Sequence, residues 1–139
     1  MSKKRIKQPV LEQRGKVKLP SSSDMERPDE LHPVFSFEYM VPGFDVEGCE
    51  KTDRASLALT LLKLSKLTWA QIKQSHRHGL GFETIDNGSI RAGIPPIITP
   101  DVRLLAFRFS GKKPMVGYRI GRTFFIVWLD RDFTLYDHG

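Results

Sequence analysis

Five side chains in the last third of the chain could together act on a phosphodiester. They are two arginines, two tyrosines and a histidine: Arg108, Arg119, Tyr118, Tyr136 and His138. Arginine binds phosphate through a planar fork that stays charged, and tyrosine or histidine can transfer protons or stack on a base. RNA cleavage without a metal ion needs a base for the 2′-hydroxyl, a cation for the phosphate and an acid for the leaving group. The set contains those residue types, and it forms our candidate catalytic group.

Three aspartates in the same part of the chain leave other interpretations open: Asp130, Asp132 and Asp137. They could pair with the two arginines, which would make the arginines structural. Paired carboxylates could instead hold Mg²⁺ for a nuclease. Turn chemistry is the simpler explanation, because Asp130-Arg131-Asp132 falls where a turn is expected. We therefore predict no metal and no cofactor.

A second cluster is His76-Arg77-His78, with Glu83 nearby. Residues at i and i+2 on a helix point about 200° apart, so the two histidines could share a ligand only if the helix has already ended. The spacing matches no common zinc pattern. Surface or helix-terminal histidines are the simplest interpretation, and the alternative is that His76, Arg77 and His78 contact nucleic acid.

The positive charge of the chain is concentrated at its start. The net charge is +6, and residues 1–20 hold seven Lys and Arg against one Glu, whereas the remainder holds 15 of each sign. We predict that residues 1–33 form a disordered basic arm and linker. The arm could bind phosphate backbones, with contacts from Lys3, Lys4, Arg5 and Lys7, or it could simply be a solvated tail.

The remaining residues, 34–139, are expected to form a single α+β domain. A single cysteine, Cys49, excludes an intramolecular disulfide. No apolar run approaches the roughly 20 residues of a membrane span, and the basic start is not followed by the apolar region of a secretory signal. A cytoplasmic location with no membrane partner is the default expectation.

The apolar periodicity predicts two helices. The first covers Asp53–Leu64, with Asp53 as its N-cap. The second covers about Trp69–Arg77 and begins with a capping box, in which the Thr68 hydroxyl accepts from the Gln71 amide. Gly79 is expected to end this second helix.

Strand signals surround these helices. Alternating apolar residues predict a strand over Val34–Met40, and Phe82–Ile85 could be a short one. From Val102 onward, three apolar runs separated by Gly-containing turns predict an antiparallel meander, with a possible fourth strand at Phe133–Tyr136. Strict alternation in the third run would place Phe124, Ile126 and Trp128 on one face of the sheet and Phe125, Val127 and Leu129 on the other, and adjacent strands would bring Arg108 close to Arg119.

The order of helices followed by a meander resembles the RelE/ParE family of small bacterial toxins over about residues 53–139. The resemblance rests on that order, on Gly117-Tyr118-Arg119-Ile120 before a central apolar strand, and on the late Tyr136 and His138. It implies an endoribonuclease, often acting on ribosome-bound message, that is neutralised by an antitoxin protein. The basic arm and the strand before the helices lie outside this resemblance.

The expected function is therefore that of a small cytoplasmic toxin-like protein acting on RNA as a metal-independent endoribonuclease. The alternative is a non-catalytic module that binds nucleic acid or protein through the basic arm and an aromatic face of the sheet. No small-molecule cofactor is expected in either case.

Overall fold

A computed structural model describes residues 27–76 and 79–138, and it contains two helices and a five-stranded mixed sheet. This confirms the predicted α+β class. The elements in chain order are β1 Val34–Ser36, α1 Lys51–Ser65, α2 Trp69–Gln74, β2 Phe82–Ile85, β3 Leu104–Ser110, β4 Lys113–Ile120 and β5 Thr123–Leu129. Short 3₁₀ turns lie at Pro28–Glu30, Val46–Gly48 and Asn87–Ser89.

The sheet has the strand order β1-β5-β4-β3-β2. The strands β2 to β5 pair antiparallel, which confirms the predicted meander, whereas β1 adds a parallel pair beside β5. The first strand is shorter than the predicted Val34–Met40. It ends at Ser36, whose hydroxyl accepts a hydrogen bond from the Glu38 amide at 3.1 Å and turns the chain away from the sheet.

The helix α1 begins earlier than predicted, and Asp53 is not its N-cap. Glu50 occupies the cap position without a side-chain bond. Asp53 lies in the first turn and is buried, where its carboxylate accepts hydrogen bonds from Ser110 at 2.9 Å and from Lys113 at 2.9 and 3.0 Å. The residue therefore ties α1 to the β3–β4 turn.

The capping box predicted at Thr68 and Gln71 is present, with both reciprocal hydrogen bonds formed. The helix α2 ends at Gln74, three residues before the predicted end. The His76 carbonyl then accepts hydrogen bonds from the Gly79 and Gly81 amides, each at 2.9 Å. A side chain at Gly81 would overlap backbone atoms of the preceding turn. This tight return leads the chain into β2.

Both faces of the sheet are buried. One face packs under the helices, where Leu57, Leu64 and Trp69 meet Phe107 and Phe124. The other face is covered by loops, which contribute Tyr39, Phe44, Ile98 and Leu135 to a second cluster. Within the described residues, the aromatic side chains of β3, β4 and β5 are therefore buried or half-buried.

A bulge in β5 breaks the predicted alternation. Val116 pairs with Trp128, but the next residue, Gly117, pairs with Ile126, so Val127 is an extra residue on β5. Val127 and Trp128 consequently both belong to the loop-covered cluster, while Leu129 returns to the helix side. A Cβ atom at Gly117 would overlap the carbonyl oxygen of Phe125, so this register requires glycine.

The possible fourth strand at Phe133–Tyr136 does not form. The amides of Thr134 and Leu135 donate to the Asp130 carboxylate at 2.8 and 3.0 Å and not to a neighbouring strand. Phe133 has a positive φ of 59°, which an extended strand does not allow. The segment instead folds as a turn over the end of the sheet.

Candidate functional site

Three of the five candidate catalytic residues line one polar pocket of about 360 Å³: Arg108, Tyr136 and His138. The pocket lies where the segment after β5 passes over the loop-covered face of β3. Arg108 belongs to β3, while Tyr136 and His138 come from the turn that follows Asp130. Its lining also includes Glu83, Lys112, Phe133 and Asp137.

Arg108 and Arg119 do not lie side by side, contrary to the prediction. Arg108 pairs with Pro114, and Arg119 lies five residues further along β4. Five residues correspond to about 16 Å along a strand, and an odd number places the two side chains on opposite faces. The predicted pair of phosphate-binding arginines is therefore split.

Arg119 is engaged on the helix side of the sheet. Its guanidinium lies over the Trp69 ring at 4.1 Å from the ring centre, forms an ion pair with Asp29 and donates to the Gly121 carbonyl at 2.7 Å. The Asp29 carboxylate also binds Lys73 at 2.7 Å. Hydrogen bonds from Lys73 and then Arg119 lower the pKa of Asp29. These contacts give Arg119 a structural role in holding the Pro28–Glu30 turn against α2.

Tyr118 also lies outside the polar pocket. Its buried ring stacks on Phe125 with centroids 4.9 Å apart and an interplanar angle of 13°. Burial raises the pKa of its hydroxyl. Packing of the loop-covered core accounts for this residue.

The centre of the polar pocket is a histidine held by a buried carboxylate. Asp130 is fully buried, and its two oxygens accept the backbone amides of Thr134 and Leu135. His138 Nε2 lies 3.1 Å from Asp130 Oδ2, and 27% of the His138 side chain is exposed. A carboxylate acceptor fixes the proton of a neutral imidazole on Nε2, which leaves the Nδ1 lone pair available.

Tyr136 packs against this histidine, with ring centroids 4.1 Å apart. Burial, followed by the negative charges of Glu83 and Asp130, raises the pKa of Tyr136 to about 12, and the nearby Arg108 acts in the opposite direction. At neutral pH the hydroxyl is protonated, as in any tyrosine, and can donate a hydrogen bond.

Arg108 contributes a positive charge to the polar pocket. Among residues 27–76 and 79–138, its guanidinium has no hydrogen-bond or ion-pair partner, although the residue is only partly exposed. Lys112 adds a second cation to the same pocket. The lining also holds the carboxylates of Glu83 and Asp137, so the charges of the pocket are of both signs. Arg108 and Lys112, beside the positioned histidine, are the groups that could bind an anionic ligand such as a phosphate group.

Phe133 is a site residue that the sequence analysis missed. It is 42% exposed, lines the polar pocket and contacts His138 edge-on with centroids 5.3 Å apart. Positive φ values in bulky residues are uncommon, and such strain concentrates at functional sites. Its only sequence signal was position, since it follows a predicted Asp-containing turn.

The other candidate residues are less informative. Asp132 is exposed and its carboxylate lies 3.7 Å from the Arg131 guanidinium, while Asp137 lines the polar pocket. His76 is exposed at the end of α2. The remaining nucleic-acid candidates lie outside the described residues: Lys3, Lys4, Arg5, Lys7, Arg77 and His78. Within the described ranges, no group of three His, Cys, Asp or Glu side chains could hold a metal ion.

The fold and pocket together define an α+β protein in which a His–Asp pair lies beside two cations, Arg108 and Lys112, that form no ion pair with a described residue. No protein-family model, curated protein or solved structure matches the chain. Among the described residues, no helix combines the length and apolar character needed to cross a membrane.

Proposed function

We propose that the polar pocket cleaves RNA by transesterification through the 2′-hydroxyl. The observation that carries the proposal is the pair His138–Asp130 next to Arg108, a guanidinium that lacks a partner in the described structure. A buried carboxylate that orients a partly exposed imidazole is the arrangement that general base catalysis uses. A free cation at the same place stabilises charge that develops on phosphate.

Each group would have a separate role. His138 Nδ1 would accept the proton of the 2′-hydroxyl, whose oxygen then attacks phosphorus while the bond to the 5′-oxygen breaks. Arg108 would bind the non-bridging oxygens, and Lys112 would add positive charge. Tyr136 would donate its proton to the departing 5′-oxygen, since its hydroxyl is protonated at neutral pH. The products are a 2′,3′-cyclic phosphate and a 5′-hydroxyl end.

The aromatic lining favours a single-stranded substrate. An exposed aromatic ring beside a phosphate site can stack on an unpaired base, at about 1–3 kcal/mol per base. Phe133 provides such a ring, and its contact with His138 places it next to the base-catalytic nitrogen. A base held there would position the adjoining phosphate at Arg108.

Cleavage of cellular RNA is also what the RelE/ParE resemblance implies. In that case the protein would act in the cytoplasm as a toxin and would be neutralised by a protein partner. The reaction would then take place at Arg108 and His138, which line one pocket, and not between Arg108 and Arg119. Arg119 and Tyr118 would then contribute to stability and not to the chemistry.

The test is cleavage of a labelled single-stranded RNA by the purified full chain. His138→Ala and Arg108→Ala should each lower the cleavage rate by about 10²–10⁴-fold, the range of acid–base and electrostatic contributions. His32→Ala and Lys51→Ala are matched controls, because both side chains are exposed and far along the chain from the pocket. The same oligonucleotide made of DNA should not be cleaved.

A different set of results would contradict the proposal. Cleavage of DNA would exclude a 2′-hydroxyl nucleophile, and unchanged rates in His138→Ala would exclude the pocket. If the wild-type protein binds the RNA without cleaving it, and Arg108→Ala abolishes that binding, the pocket is a phosphate-binding site without catalysis. Growth arrest on induction that is relieved by His138→Ala would support the toxin interpretation.

A further inference from the structure

A second cavity, of about 480 Å³, is lined by Lys73 of α2 together with residues of β2, β3 and β4. It is found at the end where β3 begins and β4 ends, away from the polar pocket. Its walls are largely apolar, with Phe82 and Leu105 inside and two exposed isoleucines at the edge. Ile97 is 51% exposed and Ile120 is 63% exposed. We call this cavity the basic groove.

The polar groups of the basic groove are predominantly cationic. Lys73, Arg103 and Arg119 line it, and none of its lining residues in the described structure carries a carboxylate. Asp29 neutralises part of this charge by binding Lys73 and Arg119. Arg103 is exposed and has no hydrogen-bond or ion-pair partner among the described residues. The groove therefore keeps an excess of positive charge.

We propose that the basic groove is a docking site for an acidic protein segment that carries apolar side chains. Its apolar walls and exposed isoleucines fit Leu, Ile or Phe of a partner, and the positive charge that Asp29 leaves unbalanced complements Asp or Glu. RNA matches only the charge, because it offers no aliphatic groups for the walls. This proposal does not depend on catalysis in the polar pocket.

The basic arm strengthens the charge argument. Residues 1–20 hold seven basic side chains against one acidic one, and the described structure begins at Arg27, two residues before Asp29. In the sequence, this arm precedes Asp29, whose carboxylate binds Lys73 and Arg119 of the groove. An acidic partner would be attracted to both, so its association should be faster at low salt.

Selection of displayed random peptides on the immobilised full chain tests the proposal. The enriched peptides should combine Asp or Glu with Leu, Ile or Phe. A labelled copy of an enriched peptide should then lose affinity by at least about tenfold in Arg103→Glu and in Ile120→Ser, a change of about 1.4 kcal/mol in binding free energy. Lys66→Glu makes the same charge change on exposed α1 surface and should leave the affinity within about twofold.

Several outcomes would overturn the proposal. No enrichment, or enrichment of basic or purely polar peptides, would show that the groove does not select acidic amphipathic segments. Equal affinity losses in Arg103→Glu and Lys66→Glu would reduce the effect to overall charge. Displacement of the peptide by single-stranded RNA, with loss of RNA binding in Arg103→Glu, would make the groove a nucleic-acid interface. Arg103 and Ile120 are exposed, so both variants are expected to fold, and circular dichroism checks that they do.

Discussion

A comparison of Asp130→Asn with His138→Ala should separate the structural role of the polar pocket from its catalytic role. The carboxylate accepts two backbone amides, from Thr134 and Leu135, and also holds His138. An amide side chain has only one acceptor oxygen. Whichever position the new NH₂ group takes, it faces an N–H donor where the wild-type protein has an acceptor. The substitution should therefore damage the turn and the orientation of the imidazole together.

The size of the effect follows from these contacts. A buried donor without an acceptor costs about 1–3 kcal/mol, and the remaining hydrogen bonds lose roughly 1 kcal/mol of charge assistance. We expect Asp130→Asn to lower the free energy of unfolding by about 2–4 kcal/mol. His138→Ala removes one partly exposed hydrogen bond and leaves both amides satisfied, so it should cost about 1 kcal/mol or less. Both variants should lose cleavage activity by about 10²-fold or more.

Urea titration can measure both changes, because Trp69 and Trp128 are fully buried and report unfolding through their fluorescence. The cleavage assay on the same preparations gives the activity. Equal stability losses in Asp130→Asn and His138→Ala would refute the view that the carboxylate anchors the turn. Wild-type cleavage by folded Asp130→Asn would refute its role in orienting His138.

Three further substitutions test the packing around the sheet by the same titration. The hydrogen bond from Lys113 lowers the pKa of Asp53, although burial acts in the opposite direction. The ionised Asp53 therefore contributes its full stabilisation above pH 3.8, the ordinary pKa, and this stabilisation is lost as the pH falls through the lower pKa of the folded protein. Asp53→Asn should thus cost about 2 kcal/mol at neutral pH, and a cost that does not shrink in acid would contradict this linkage. Gly117→Ala should cost about 3 kcal/mol or more, because the new methyl overlaps the Phe125 carbonyl, whereas a neutral result would show that the bulge can move. Thr68→Ala removes the capping box of α2 and should cost about 1 kcal/mol, with Thr52→Ala on α1 as an exposed control that should cost less.

Local chemistry made much of the fold predictable from the sequence. Thr68 and Gln71 form their capping box with atoms three residues apart, and the meander strands follow from apolar runs separated by short turns. The wrong predictions concern features that are determined by contacts between residues far apart in the sequence. Asp53 suits an N-cap by residue type, but its carboxylate instead binds a lysine 60 residues away. The parallel pairing of β1 with β5 likewise joins parts of the chain with no local signal.

The site was predictable in composition but not in arrangement. Arg108, Tyr136 and His138 were identified by residue type, and the structure brings them into one pocket. Pairing Arg108 with Arg119 failed because strand register depends on where each turn closes, which the residue pattern did not specify. The contacts of Asp130 with Thr134 and Leu135 could be inferred only in part, from the preference of aspartate for turns.

The extra residue in β5 also determines which changes of length the strand can accept. Val127 and Trp128 both face the loop-covered side, so deletion of Val127 would leave Ile126, Trp128 and Leu129 in ordinary alternation and Asp130 on its present side. Deletion of Leu129, with the bulge in place, would instead turn Asp130 toward α1 and α2, and the turn that carries His138 would lose its anchor. We therefore expect natural variants to lose Val127 more readily than Leu129.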